Sequence, residues 1–194
     1  MSQYFENDNN VKSESKKIEY IIKREKYEIY TDNGVFSKKG LDFGTRTLLE
    51  SLPVMSGDVL DFGCGYGPIG IFIRKNYECN VDMVDVNLRS LKLAKKNALL
   101  NKVEVNIFQS DIYSNITEKY DYIVSNPPIR VGKETEYKIL FEAKEHLKKN
   151  GELWIVVNKD QGAKSLCKDL EKSYKVSLVV KNKGFYIIMA KNID

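Results

Sequence analysis

The sequence predicts an α/β fold: a doubly wound, mostly parallel sheet of seven strands, finished at one side by an antiparallel strand from a C-terminal hairpin, plus a small N-terminal β-hairpin extension. Three observations predict it. From residue 58 onward, short apolar runs alternate with amphipathic ones, the order that covers both faces of a parallel sheet with helices. Glycines crowd "LDFGCGYGPIG", where the first of these apolar runs gives way to a helical pattern. The closing "YKVSLVVKNKGFYIIMAK" reads as two strands around a tight turn.

Residues 1–16 are polar and are expected to be a flexible segment. Residues 17–57 are expected to form a unit of their own. In it "KIEYIIKR" and "KYEIYTD" pair as a hairpin, "NGVFSKKG" is a loop, and "LDFGTRTLLESL" is a helix that Gly44 weakens and Pro53 stops. Residues 58–194 form the core. "DVLDFG" is its first strand. "GPIGIFIRKNY" is a helix with Pro68 in the first turn, and "NVDMVDV" is a strand. "NLRSLKLAKKNALL" is a helix capped by Asn87, with Leu88, Leu91, Ala94 and Ala98 on one face. "VEVNIFQSD" and "YDYIVSN" are strands. "ETEYKILFEAKEHLKKNG" is a helix with Tyr137, Leu140, Ala143 and Leu147 inward and Gly151 ending it. "GELWIVVN" is a strand. "KDQGAKSLCKDLEKSY" is a helix with Ala163, Leu166, Cys167 and Leu170 on its apolar stripe. With the closing hairpin the core strands number seven.

Composition narrows the chemistry. The 194 residues suit one domain, 42% hydrophobic and 30% charged, with a formal net charge of +4. That balance permits an acidic partner without demanding one. Cys64, Cys79 and Cys167 are scattered, and His146 is the only histidine, so a zinc site or a Ser-His-Asp triad lacks material and no metal is expected. His146 reads as an ordinary helix residue. The opening "MSQYFENDNN" is polar and acidic, unlike a signal peptide, and no apolar run approaches the ~20 residues of a membrane span, so a cytoplasmic protein without a membrane partner is expected.

Two motifs carry chemistry. Gly63, Gly65 and Gly67 let the backbone turn tightly and approach a ligand, with a helix N-terminus behind them. Gly65, Gly67 and Gly70 also satisfy the G-x-G-x-x-G dinucleotide pattern, and Asp85 stands about twenty residues on, where a carboxylate would hold ribose hydroxyls. An NAD-binding oxidoreductase is therefore one reading. Asp61 speaks for another: its carboxylate would repel a pyrophosphate over this loop and attract an ammonium or a sulfonium. The second motif is "VSNPPIRVGKE". Asn126 precedes a proline, and Pro127 precedes Pro128, so both are pushed towards extended backbone. Neither proline donates a hydrogen bond. The result is a rigid ledge with two acceptors, the Asn126 side-chain oxygen and the Pro127 carbonyl, suited to an exocyclic amino group.

"VLDFGCGYGPIG", "VDMVDVN", "QSDIY" and "SNPP", in this order and spacing, resemble the class I S-adenosylmethionine-dependent methyltransferases, which have a Rossmann-like sheet. The resemblance implies S-adenosylmethionine as cofactor, its methionine end on Asp61, Gly63, Cys64, Gly65 and Gly67. It implies ribose on Asp85, the adenine amino group near Asp111, Asn126 in contact with the cofactor, and Asn126, Pro127 and Pro128 at the reacting nitrogen. Asn-Pro-Pro after the fourth strand resembles enzymes acting on planar amino nitrogens. Adenine-N6 and glutamine enzymes usually follow the motif with Tyr or Phe, and here Ile129 stands instead. "NPPIRVGKE" together with "TDNGVFSKKGLDFGTRTLLESL" looks like the small-subunit ribosomal RNA guanine-N2 methyltransferase group, over nearly the whole chain from about Lys17. This implies a "GVFS" loop, with Phe36 and Ser37, closing over the cofactor, the 17–57 unit packing on that site, and Arg130 and Lys133 meeting RNA phosphates. The alternatives are a protein amide or DNA adenine N6 as acceptor, the oxidoreductase, and a non-catalytic RNA-binding module.

Overall fold

A computed structural model describes residues 15–32, 40–127 and 132–194. The expectations placed on residues 1–14, on Phe36 and Ser37, and on Pro128 and Arg130 lie outside the described residues.

Strands β1 (Lys16–Ile22) and β2 (Glu25–Thr31) pair antiparallel as a separate two-stranded sheet. Their two-residue turn puts Lys23 and Arg24 at φ 47° and 69°, the left-handed geometry that follows strand twist. Alternation buries Ile18, Tyr20 and Ile22 with Tyr27 and Ile29. The core follows as helix α1 (Phe43–Ser51), β3 (Gly57–Phe62), α2 (Pro68–Asn76), β4 (Cys79–Asp85), α3 (Leu88–Leu100), β5 (Asn106–Gln109), β6 (Tyr120–Ser125), α4 (Lys133–Glu142), β7 (Leu147–Asn158), α5 (Ala163–Leu170), β8 (Lys175–Asn182) and β9 (Phe185–Lys191). The seven core strands order as β5-β4-β3-β6-β7-β9-β8, and β9 alone runs against the rest.

The sheet separates two apolar cores. Val59, Met83, Val124 and Trp154 face α1, α2, α3 and the hairpin. Leu60, Phe62, Ile123 and Ile155 face α4 and α5. The hairpin is stitched to the first core by aromatic and amide contacts. Tyr27 stacks on Tyr20 and meets Phe72 of α2, with ring centroids 5.3 Å and 5.9 Å apart. Asn97 of α3 is fully buried. Its Nδ2 donates to the carbonyls of Tyr30 and Tyr66, both at 2.8 Å, and its Oδ1 accepts from Tyr30 N at 2.7 Å. One amide thus holds strand β2, helix α3 and the glycine loop together. Replacing Asn97 by Ala leaves buried backbone groups unpaired and is expected to cost about 2–5 kcal/mol of stability, read by urea unfolding. A loss below about 1 kcal/mol would mean that water replaces the amide without penalty.

The structure corrects three local expectations. The helix expected over 134–151 ends at Glu142, passes through a 3₁₀ turn at Ala143–His146, and enters β7 at Leu147. Local pattern favours helix here, but tertiary pairing prevails. Leu147 pairs with Tyr120, Lys148 Nζ meets Asp58 and Asp121 carboxylates at 2.7 Å and 2.8 Å, and Asn150 N donates to Asn192 O. Gly151 is not a helix cap; a Cβ there would sit 2.9 Å from the carbonyl oxygens of Lys148 and Tyr120. Leu88 is 46% exposed rather than inward, because it opens α3 at the sheet's edge. The helix expected from Lys159 splits into a 3₁₀ turn and α5 around Gly162, at φ 80°. His146 stacks on Tyr113 at 4.5 Å, a packing role. No helix among the described residues is long and apolar enough to cross a membrane.

Candidate active site

From β3 the chain first builds outward through β4 and β5, then returns to lay β6 on the other side of β3. Ligands of open α/β sheets bind at such a reversal, beyond the carboxyl ends of the strands. Here the reversal falls between β3 and β6. Asp61 lies opposite Val124, and Ser125 Oγ donates to Phe62 O at 2.8 Å. The glycine loop after Phe62 and Asn126 after Ser125 therefore leave the sheet side by side.

The glycines divide into two roles. Gly63, Gly65 and Gly67 have φ of 69°, 55° and 97°, a region where L side chains are strained. At Gly63 and Gly65 an added Cβ would meet nothing within 4 Å, so these two line open space. At Gly67 it would lie 2.9 Å from Met83 Cε, and at Gly70 2.6 Å from Met83 Sδ. The last two glycines of the dinucleotide-like pattern thus serve helix-to-sheet packing. Cys64 is buried, its N–H donates to Val84 O at 2.8 Å, and burial pushes its thiol pKa well up. It offers backbone to the loop and no nucleophile.

The acidic residues surround this loop in different states. Asp61 is fully buried, with Oδ2 accepting from Gly70 N at 2.8 Å and so capping the first turn of α2. Its Oδ1 is buried without a partner among the described residues. Burial chiefly, and the neighbouring Asp85 charge secondarily, push its pKa up to about 7 against the pull of the Gly70 N–H. Asp85 ends β4. Its Oδ2 accepts from Gly65 N at 2.9 Å and its Oδ1 from Asn87 N at 2.8 Å. Burial raises its pKa, and these backbone donors oppose the rise. Asp111 is exposed just past β5. After β2, the Asp32 carboxylate is nearly buried and takes Arg89 Nε at 2.9 Å and Nη2 at 2.7 Å. That ion pair ties the end of the hairpin to the first turn of α3.

The fit to a cationic, adenosine-bearing cofactor rests on these observations: open space over Gly63 and Gly65, an unpartnered carboxylate oxygen behind them, and two further carboxylates along the sheet edge. Asp61 itself is 0% exposed and presents no surface at the loop. Because its folded pKa lies above the ordinary value near 4, the folded chain binds more protons than the unfolded one between about pH 4 and 7. Asp61 therefore costs stability as pH rises through that window, and the full cost is present above it. Asp61→Asn is expected to raise the melting temperature of the cofactor-free protein more at pH 8 than at pH 5. An equal change at both pH values would show that Asp61 is not held near neutrality.

Asn126 is half-buried and Pro127 buried. Asn126 Nδ2 donates to Thr45 Oγ1 of α1 at 2.9 Å, and its Oδ1 has no donor among the described residues. Lys133 begins α4, exposed, with its ammonium 5.4 Å from the Tyr137 ring. A shallow depression lined by Gly57, Arg74, Glu78, Cys79 and Asn80 lies at the opposite ends of the strands and gathers none of these groups. Sequence reasoning missed Thr45, Asn97 and Ser125. The signal for Thr45 was present in "LDFGT": Asp42 caps α1 by accepting from Thr45 N at 2.9 Å, which fixes where Thr45 stands.

Comparison with known proteins agrees with this geometry. The family model described as methyltransferase small domain matches residues 26–189. The uncharacterized protein YbxB of Bacillus subtilis is 42% identical over 197 residues, 98% of each chain. Ribosomal RNA small subunit methyltransferase C of Vibrio vulnificus is 40% identical over 169 residues, covering 81% of this chain and 50% of its own. Among solved structures, a T. thermophilus 16S rRNA N2 methyltransferase (RsmC), in complex with AdoMet and guanosine, superposes with a TM-score of 0.82 at 24% identity, over 92% of this chain and 50% of that one. The chain thus spans about half the length of the small-subunit methyltransferases it matches. The sheet order and glycine loop are those of a class I S-adenosylmethionine-dependent methyltransferase. The chain belongs to the methyltransferase small domain family, and its cofactor is S-adenosylmethionine.

Proposed function

We propose that this protein methylates an exocyclic amino nitrogen, guanine N2 in 16S ribosomal RNA, acting on the RNA or the small subunit in the cytoplasm. One observation carries the reading: Asn126 leaves the sheet beside the glycine loop with its NH₂ end engaged and its oxygen end unengaged. The matched small-subunit methyltransferases support RNA as the substrate class.

When bound, the cofactor supplies a methyl group already activated by a positive sulfur. The chain's residues supply position. Gly63, Gly65 and the loop backbone hold the methionine end, with the Asp61 charge behind them. Asp85 faces the ribose, and Asp111 lies toward the adenine. Asn126 Oδ1 and the Pro127 carbonyl accept the two N–H bonds of the substrate amino group. With both N–H bonds so held, the nitrogen lone pair would stand out of the amino group's own plane toward the methyl, and the proton shed on methylation would leave to water. Pro128 stiffens the ledge. Orientation of this kind is worth up to about 7–11 kcal/mol, so a site with one remote histidine suffices. The family resemblance assigns Phe36 and Ser37 to the cofactor and Arg130 to RNA phosphates, and Lys133, exposed at the start of α4, is proposed to meet a phosphate as well.

The test is mass spectrometry of ribosomal RNA nucleosides from cells with and without the gene. Loss of N2-methylguanosine at one position, restored by the purified protein with cofactor, is the expected result. Unchanged RNA, with methyl label appearing in protein, would overturn the RNA assignment.

A further inference from the structure

We infer that Thr45 is a positioning residue for methyl transfer, setting which end of the Asn126 amide faces the substrate. The inference rests on the reading of Asn126 given above. A primary amide has two ends of nearly equal size and opposite hydrogen-bonding sense. An amino substrate needs the acceptor end; the NH₂ end would set donor against donor. The Asn-Pro-Pro backbone fixes where the side chain starts but not the rotation about its last bond, which is broad and roughly two-fold. Something outside the motif must choose.

Thr45 is the group in place to do so. Its Oγ1 accepts from Asn126 Nδ2 at 2.9 Å, across 81 residues of sequence. Thr45 is 2% exposed, so the acceptor end of that bond is shielded from water. The threonine is itself held. Its N–H donates to Asp42 Oδ1 at 2.9 Å, in the first turn of α1, and α1 packs on β7 and β9. Next to it, a Cβ at Gly44 would lie 2.8 Å from the Phe185 ring, so α1 sits against the start of β9 with no slack. The helix is therefore anchored to the sheet on one side and grips the catalytic amide on the other. The NH₂ end being engaged, the oxygen end is left for the cleft. Without the hydroxyl, the NH₂ end has no buried acceptor at Thr45 and gains by turning toward water and the substrate.

The test compares Thr45→Val, which keeps shape and loses the hydroxyl, with Thr45→Ser, which keeps the hydroxyl. Each is assayed by labelled methyl transfer to small ribosomal subunits from cells lacking the protein. Thr45→Val is expected to lower kcat by about 10–100-fold, the scale of a misplaced reacting group. KM for the subunit and the calorimetric affinity for S-adenosylmethionine should stay within a few-fold, and Thr45→Ser should recover most of kcat. Asn126→Ala is run alongside. If it retains turnover, the catalytic reading of Asn126 itself fails. If it is inactive while Thr45→Val turns over like the parent, only the positioning inference is overturned. Should Thr45→Val lose its thermal transition, Thr45→Ala replaces it in the comparison, and equal kcat in the Ala and Ser variants overturns the inference.

Discussion

Asn126→Ala is expected to lower kcat by about 10²–10³-fold or more, the loss seen when one preorganised hydrogen-bonding group is removed from a reacting centre. The affinity for S-adenosylmethionine should hold within a few-fold. The separation follows from geometry. The glycine loop proposed to carry the cofactor follows β3 and is tied to β4 through Asp85 and Cys64. Asn126 hangs from β6 and is tied to α1. Removing it leaves the loop's own bonds intact and removes one of the two acceptors proposed for the substrate nitrogen. Calorimetry with the cofactor and single-turnover methyl transfer measure the two quantities separately. Unchanged turnover would remove Asn126 from the mechanism, and a parallel collapse of cofactor affinity would make it a cofactor residue instead.

The second large effect concerns the glycines, where two substitutions should fail in opposite ways. Gly65→Ala is expected to fold, with a stability loss of about 1–2 kcal/mol for an L residue at φ 55°. Its Cβ enters the open space above the loop, and cofactor binding should fall below detection by calorimetry. Gly70→Ala has no φ penalty, but its Cβ would meet Met83 Sδ at 2.6 Å and Asp61 Oδ2 at 3.0 Å. It is expected to lose about 1–3 kcal/mol by overpacking, while the folded fraction still binds cofactor. Thermal melting and calorimetry on the two variants distinguish these outcomes. If Gly65→Ala bound cofactor like the parent, the cofactor would not lie over Gly65.

Much of this molecule is legible along the chain because its strands and helices announce themselves by period and by caps. The β3-to-α2 turn is readable because only glycine tolerates positive φ there, and Asn87 is readable as the cap of α3 because its Oδ1 takes Arg89 N and Ser90 N. Position 147 was misread for the opposite reason. Nothing near it in sequence says that Asp58 and Asp121, far along the chain, will pull Lys148 into a strand. The G-x-G-x-x-G pattern also misled in part, since Gly67 and Gly70 answer to Met83, a residue of another strand.

By itself, then, the sequence determined the order of strands and helices and the glycine turn, because each depends on φ preference and apolar spacing within a few residues. The tertiary structure decided which glycines line the cleft, that Asp61 is buried with one oxygen unpartnered, that Asn97 binds hairpin to loop, and that Thr45 takes the NH₂ end of Asn126. These depend on groups brought together from distant parts of the chain, and no local preference of either partner records the other.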